Sequence, residues 1–81
     1  MSHIVEFPKE IFLKLEGQEF LEGRLTINQL KNSYWVEVDL VQIESRKIWV
    51  HVGDLHNIPS EDEATYRSVQ MLSDYLKSKT H

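Results

Sequence analysis

Apolar residues recur along this chain at two spacings, and the switch between them separates a strand-forming part from a helix-forming part. Ile11, Leu13 and Leu15 alternate with Phe12, Lys14 and Glu16, the period-two pattern of a strand with one buried face. Before it, Ile4 to Phe7 reads as a short first strand that Pro8 ends, because proline cannot donate to a ladder. Gly17-Gln18 fits a two-residue hairpin turn with glycine at the first central position, where positive φ is required. The next strand runs from about Glu19 to Ile27 with Leu21, Leu25 and Ile27 on one side. Gly23 falls in the same row and is read as a bulge or sharp bend. Lys31-Asn32-Ser33 makes a turn.

Tyr34, Val36, Val38 and Leu40 then share one parity, with Trp35, Glu37 and Asp39 on the other. After Leu40 the apolar parity flips to Val41 and Ile43, the mark of a bulge. Glu44 to Lys47 is a polar turn. The following strand is expected to place Ile48, Val50 and Val52 on one face, Trp49 and His51 on the other, and to give way to a loop over 53–59. From Ser60 the period becomes helical: Ala64, Val69, Met71, Leu72, Tyr75 and Leu76 form an apolar stripe opposite Glu63, Arg67, Gln70, Asp74 and Lys77. Ser60 with Glu63 makes a capping box. Glu61, Asp62 and Glu63 at the start and Lys77 and Lys79 at the end complement the helix dipole.

These elements predict a single small α+β domain over residues 1–81, with strands within 4–52 and a helix over about 60–79. The fold expected is an antiparallel meander of three to five strands, either a sheet or a small SH3-like barrel, with the C-terminal amphipathic helix packed on it. In a barrel, Gly23 and the break at Leu40-Val41 would form the corners.

Composition narrows the function more than it names it. The 81 residues contain no cysteine, so neither a disulfide nor a thiolate metal site is available to support a small core. No apolar run is long enough for a membrane helix. The first residues lack the basic start and apolar stretch of a signal peptide, which makes a cytoplasmic location the expectation. Thirteen acids outweigh nine bases, for a net charge of −4. Nucleic-acid binding draws its affinity from clustered cations, and here only Arg46 and Lys47 are adjacent.

On the sheet face that the helix does not cover, the expected outward residues are Phe12, Arg24, Thr26, Trp35, Glu37, Trp49 and His51, joined by Phe20. Aromatic side chains bury much area at little entropic cost and dominate binding hot spots. Trp35 and Trp49, with Phe12, Phe20, Arg24 and His51 around them, therefore form the candidate surface for a protein partner or for self-association as a homodimer. The function expected is that of a small protein-binding module: a regulator, inhibitor, immunity-type or adaptor protein. The alternative is a nucleic-acid-binding barrel or sheet using Arg24, Arg46, Lys47 and the aromatics, but Glu37 and Asp39 beside Trp35 would repel phosphate. A third reading places a divalent metal on His51, Asp54 and His56, a set that lacks a fourth ligand. No cysteine nucleophile, glycine-rich phosphate loop or nucleophile elbow is present, so no enzymatic activity and no cofactor are expected.

Overall fold

The computed structural model describes residues 7–79. Four strands, β1 (Lys9–Lys14), β2 (Leu21–Gln29), β3 (Tyr34–Gln42) and β4 (Ile48–Ile58), precede one helix, α1 (Glu61–Lys79). The strands form an antiparallel sheet in the order β1-β2-β3-β4. No ladder joins β1 to β4 among the described residues, so the sheet is open and the barrel alternative is set aside. Of the first strand expected over Ile4–Phe7, residues 4–6 lie outside the described residues and Phe7 sits in a bend ahead of β1.

One face of the sheet carries the core. Leu25 and Ile27 of β2, Val36, Val38 and Leu40 of β3, and Ile58 of β4 are buried there against Ala64 and Leu72 of α1. The parity read from β2 and β3 is the one observed, since Leu25 pairs with Val38 and Ile27 with Val36. Helix α1 begins where Ser60 caps it: the Glu63 amide donates to Ser60 Oγ at 3.1 Å, which satisfies one of the orphan donors of the first turn. Arg67 Nε reaches Glu63 Oε2 at 2.7 Å across one turn of the exposed side.

Gly23 marks no bulge, for β2 pairs with β3 without a register shift. It is a notch instead. A Cβ at Gly23 would lie 2.4 Å from Leu72 Cδ2, and one at Gly53 would lie 3.0 Å from Met71 Sδ. The absence of two side chains lets α1 settle close to the middle of the sheet. The buried line of the helix is accordingly Ala64, Ser68 and Leu72, two small residues and the leucine that enters the notch. Sequence periodicity placed Val69 in the stripe and omitted Ser68. Ser68 is buried because its hydroxyl donates to the Ala64 carbonyl at 2.7 Å. Val69 is 42% exposed, on the side where α1 does not extend over β1.

The connection from β1 to β2 is longer than a two-residue hairpin. The Gln18 amide donates to the Leu15 carbonyl, which makes residues 15–18 a turn with Gly17 in its third position at φ 81°, where a type II turn needs positive φ. Strand β4 departs furthest from expectation. The loop expected over 53–59 is strand as far as Ile58. Its ladder with β3 shifts register between Tyr34 and Val36, between Val38 and Asp39, and between Leu40 and Val41. At each shift β4 advances one residue more than β3, so its side-chain parity resets. As a result Ile48 lies opposite Val41, on the face away from the helix, while Val50 lies opposite Leu40 on the core face.

The notch gives a direct test by chemical denaturation. Gly23→Ala is expected to destabilise the fold by about 1–3 kcal/mol through overpacking, and Leu72→Ala by about 2–5 kcal/mol through the cavity it leaves. Because both changes act on one space, Gly23→Ala should cost much less in the Leu72→Ala background. Strict additivity of the two would show that Leu72 does not occupy the Gly23 notch.

Candidate functional site

The face of the sheet opposite α1 is organised as rows of side chains that run across the strands, because partners in an antiparallel ladder share a face. Register places Phe12, Arg24, Asp39 and His51 in one row. The neighbouring row is Glu10, Thr26, Glu37 and Asp54, and the one on the other side is Lys14, Glu22, Val41 and Ile48. With no second helix over it among the described residues, this face is held by charge and by its own turns.

Asp39 is at the centre of the polar part. Only 2% of it is exposed, and a buried carboxylate is costly unless it is paired. His51 Nδ1 lies 2.7 Å from Asp39 Oδ1, and Arg24 Nε is 4.0 Å from Asp39 Oδ2. Arg24 also donates to Thr26 Oγ1 at 3.3 Å and lies 3.8 Å from Glu10. The other nitrogen of His51, Nε2, faces Asp54 Oδ1 at 3.3 Å. The hydrogen bonds to Asp39 and, second, to Asp54 raise the His51 pKa above the ordinary imidazole range. With a carboxylate at each ring nitrogen, the charged imidazolium satisfies both acids.

The remaining histidine of the expected metal set goes elsewhere. His56 stacks on Trp35, with ring centroids 5.7 Å apart and planes 11° from parallel. His51, Asp54 and His56 are thus not brought to one point, and no group of three or more such side chains is placed to hold a metal among the described residues. The Trp35 indole N–H is buried without a hydrogen-bond partner.

Near the β3–β4 turn the face is apolar. Arg46, in the left-handed region at φ 61°, reaches back across the sheet. Its guanidinium lies 4.0 Å from the centre of the Phe12 ring, and its Nε is 3.2 Å from Glu22 Oε2. This strap runs along the row that holds Val41, which is fully buried although it faces away from the helix. The two connections at this end are tied together, because the Ile43 amide donates to the Phe20 carbonyl at 2.9 Å. Phe20, Ile43 and Trp49 line a 620 Å³ groove together with Glu19, Gln42, Glu44 and Ser45. All three apolar residues are well exposed: Phe20 at 78%, Trp49 at 62% and Ile43 at 40%.

No protein-family model, curated protein or solved structure matches this chain. Its function has to be argued from the two surfaces just described.

Of the residues singled out from sequence, Phe12, Arg24, Trp35 and His51 share the face away from the helix, but they do not form one platform. Trp35 lies opposite Asn28, near the start of β3, whereas Trp49 occupies the register shift beside Leu40 and Val41, near its end. About six residues along a strand separate them, roughly 20 Å. Phe7 meets Tyr34, with ring centroids 5.9 Å apart. Phe20 does join a tryptophan, at the Trp49 end. Ile43 was read from sequence only as part of the parity flip. Its place between that flip and the polar turn Glu44–Lys47, where an apolar residue has no strand face to serve, was the available signal.

The His51 pair predicts a pH effect of definite sign. A histidine whose folded pKa is raised stabilises the fold fully below its unfolded pKa, and that contribution is lost as pH rises through the folded value. Denaturation midpoints measured between roughly pH 5.5 and pH 8.5 should therefore fall toward the alkaline end, and His51→Gln should flatten that fall. An NMR titration in which the His51 ring titrates at or below the ordinary range would remove the carboxylate bracket.

Proposed function

We propose that this chain is a small cytoplasmic protein-binding module, a regulator, inhibitor, immunity-type or adaptor protein, that works by occupying a partner rather than by catalysis. The observation that carries this reading is the Phe20–Ile43–Trp49 patch. Three large apolar side chains stand exposed together around a groove, an arrangement a soluble surface keeps at a cost and that marks contact sites. A tryptophan and a phenylalanine at the centre, with polar side chains on the rim, match the composition of binding hot spots.

The rim indicates the chemistry of the partner. Glu19 and Glu44 both line the groove, and the chain as a whole is acidic, so the fitting occupant is a protein segment with an apolar anchor flanked by lysine or arginine. Complementary charge of this kind speeds encounter and fixes register. The face away from the helix supports the same reading against nucleic acid. Among its exposed and half-buried side chains Glu10, Glu22, Glu37 and Asp54 outnumber Lys14 and Arg24, a balance that disfavours a phosphate backbone lying across them.

Phe20→Ser combined with Trp49→Ser is the informative variant. Both side chains are exposed, so the thermal midpoint is expected to stay within a few degrees of the parent. Captured from its native extract and rebuilt from purified components, the partner should bind the parent chain and lose at least about a hundredfold in affinity for the variant. A purified partner that binds both equally would overturn the assignment of this patch.

A further inference from the structure

The two edges of the sheet differ in kind. Edge strands expose unpaired backbone donors and acceptors, and bulges are one means by which proteins spoil such edges. β4 is interrupted by three register shifts. β1 pairs with β2 through six consecutive residues without one, and no strand pairs with its outer side among the described residues. Beside that outer side runs a 320 Å³ apolar groove between β1 and α1, walled by Leu13, Leu15, Val69, Leu72 and Leu76. It exists because the helix packs on β2, β3 and β4 and leaves β1 at its flank.

We propose that β1 is a self-association edge, at which two copies of this chain pair antiparallel about a two-fold axis through Phe12 to form a continuous eight-stranded sheet. The sequence of β1, Lys-Glu-Ile-Phe-Leu-Lys, is what commits the edge to a second copy. In the register centred on Phe12, Glu10 of each copy lies opposite Lys14 of the other, two opposite-charge pairs flanking a Phe12–Phe12 pair. On the core face Ile11 of each copy lies opposite Leu13 of the other, at the mouth of the apolar groove. Opposite charges, aromatic pairs and apolar pairs are each favourable when directly cross-strand.

Shifting the axis to Ile11 sets Glu10 against Phe12, and shifting it to Leu13 sets Phe12 against Lys14. Axes between residues bring the core face of one copy level with the outer face of the other. Of the registers centred on a residue, only that on Phe12 matches charge with charge and apolar with apolar from Glu10 to Lys14. Its mismatch is Lys9 of each copy level with Leu15 of the other, just past the end of the strand, where Lys9 is engaged by Glu61 of its own chain. Glu10 and Lys14 are both exposed in the single chain, and the Arg46 guanidinium covers only one face of the Phe12 ring. No residue of β1 lines the Phe20–Trp49 groove, so variants of one surface test it independently of the other.

The test is sedimentation velocity on the full chain, with circular dichroism confirming that each variant is folded. The parent should sediment as a concentration-dependent dimer. Lys14→Glu and Glu10→Lys should each weaken dimerisation at least about tenfold, because each sets like charges opposite one another twice. Mixed in equal amounts the two variants should recover a one-to-one dimer, since every pair across the edge is then of opposite sign. Phe12→Cys, the only thiol in its chain, should link to itself under mild oxidation. Its Cα separation across the axis would be about 4.5–5.5 Å, within disulfide reach. Glu10→Cys should not link, being offset from its own copy.

Phe20→Ser/Trp49→Ser should leave the dimer intact, which separates failure here from failure of the binding patch. A parent that sediments as a monomer up to its solubility limit would overturn the proposal and make the lysines at both ends of β1 guards against pairing. So would charge reversals without effect on the association constant, or a Phe12→Cys chain that does not cross-link.

Discussion

Leu72 seated above Gly23 fixes where the helix lies, and the helix position decides what every other surface must do. Adjacent strands sit about 4.8 Å apart, so the outer strands of a four-stranded sheet are separated by roughly 14 Å. A helix with its side chains is about 10–12 Å across. One helix therefore cannot cover four strands. The notch at Gly23, helped by Gly53 beneath Met71, draws α1 over β2, β3 and β4. What remains uncovered is the flank along β1 on the core side and the whole of the opposite face.

That opposite face solves the lack of a covering layer with two different kinds of interaction. Toward the start of β3 it is polar, and Asp39 is tolerated at depth because His51 and Arg24 approach it from both neighbouring strands. Toward the β3–β4 turn it mixes apolar and charged side chains, and the Arg46 strap to Phe12 and Glu22 runs along the row of the buried Val41. Arginine suits this task because its flat cation lies against an aromatic ring while its nitrogen still meets a carboxylate. The His51 pair ties β4 to β3 across the ladder, with a dependence on pH that follows from its raised pKa.

The helix, its Ser60 cap, and the core parity of β2 and β3 were legible in the sequence because one regular period runs through each. Strand β4 was not. Three extra residues reset its alternation, and His51, Asp54, His56 and Asn57 have the composition of a loop. His51 reaches Asp39 and Asp54, and His56 stacks on Trp35, contacts that no local pattern reveals. Gly23 was recognised as a special position, but its reason lay in Leu72, far away in the chain. Trp35 lay on the face read from parity, but Trp49 falls in a register shift toward the other end of β3, because parity gives neither a bulge nor a position along the strand. Phe20 and Ile43 meet through a tertiary hydrogen bond, which sequence spacing does not encode.

The hydrogen bond from the Ile43 amide to the Phe20 carbonyl has a consequence for how the exposed patch would be recognised. Loops that carry binding residues usually lose conformational freedom when a partner arrives, and that loss subtracts from affinity. Here the two connections that present Phe20 and Ile43 are clasped to each other in the free chain, and Trp49 rises from the adjoining strand. The backbone that carries Phe20 and Ile43 is thus joined at folding. In the proposed role, less of the contact energy would be diverted into ordering these two connections.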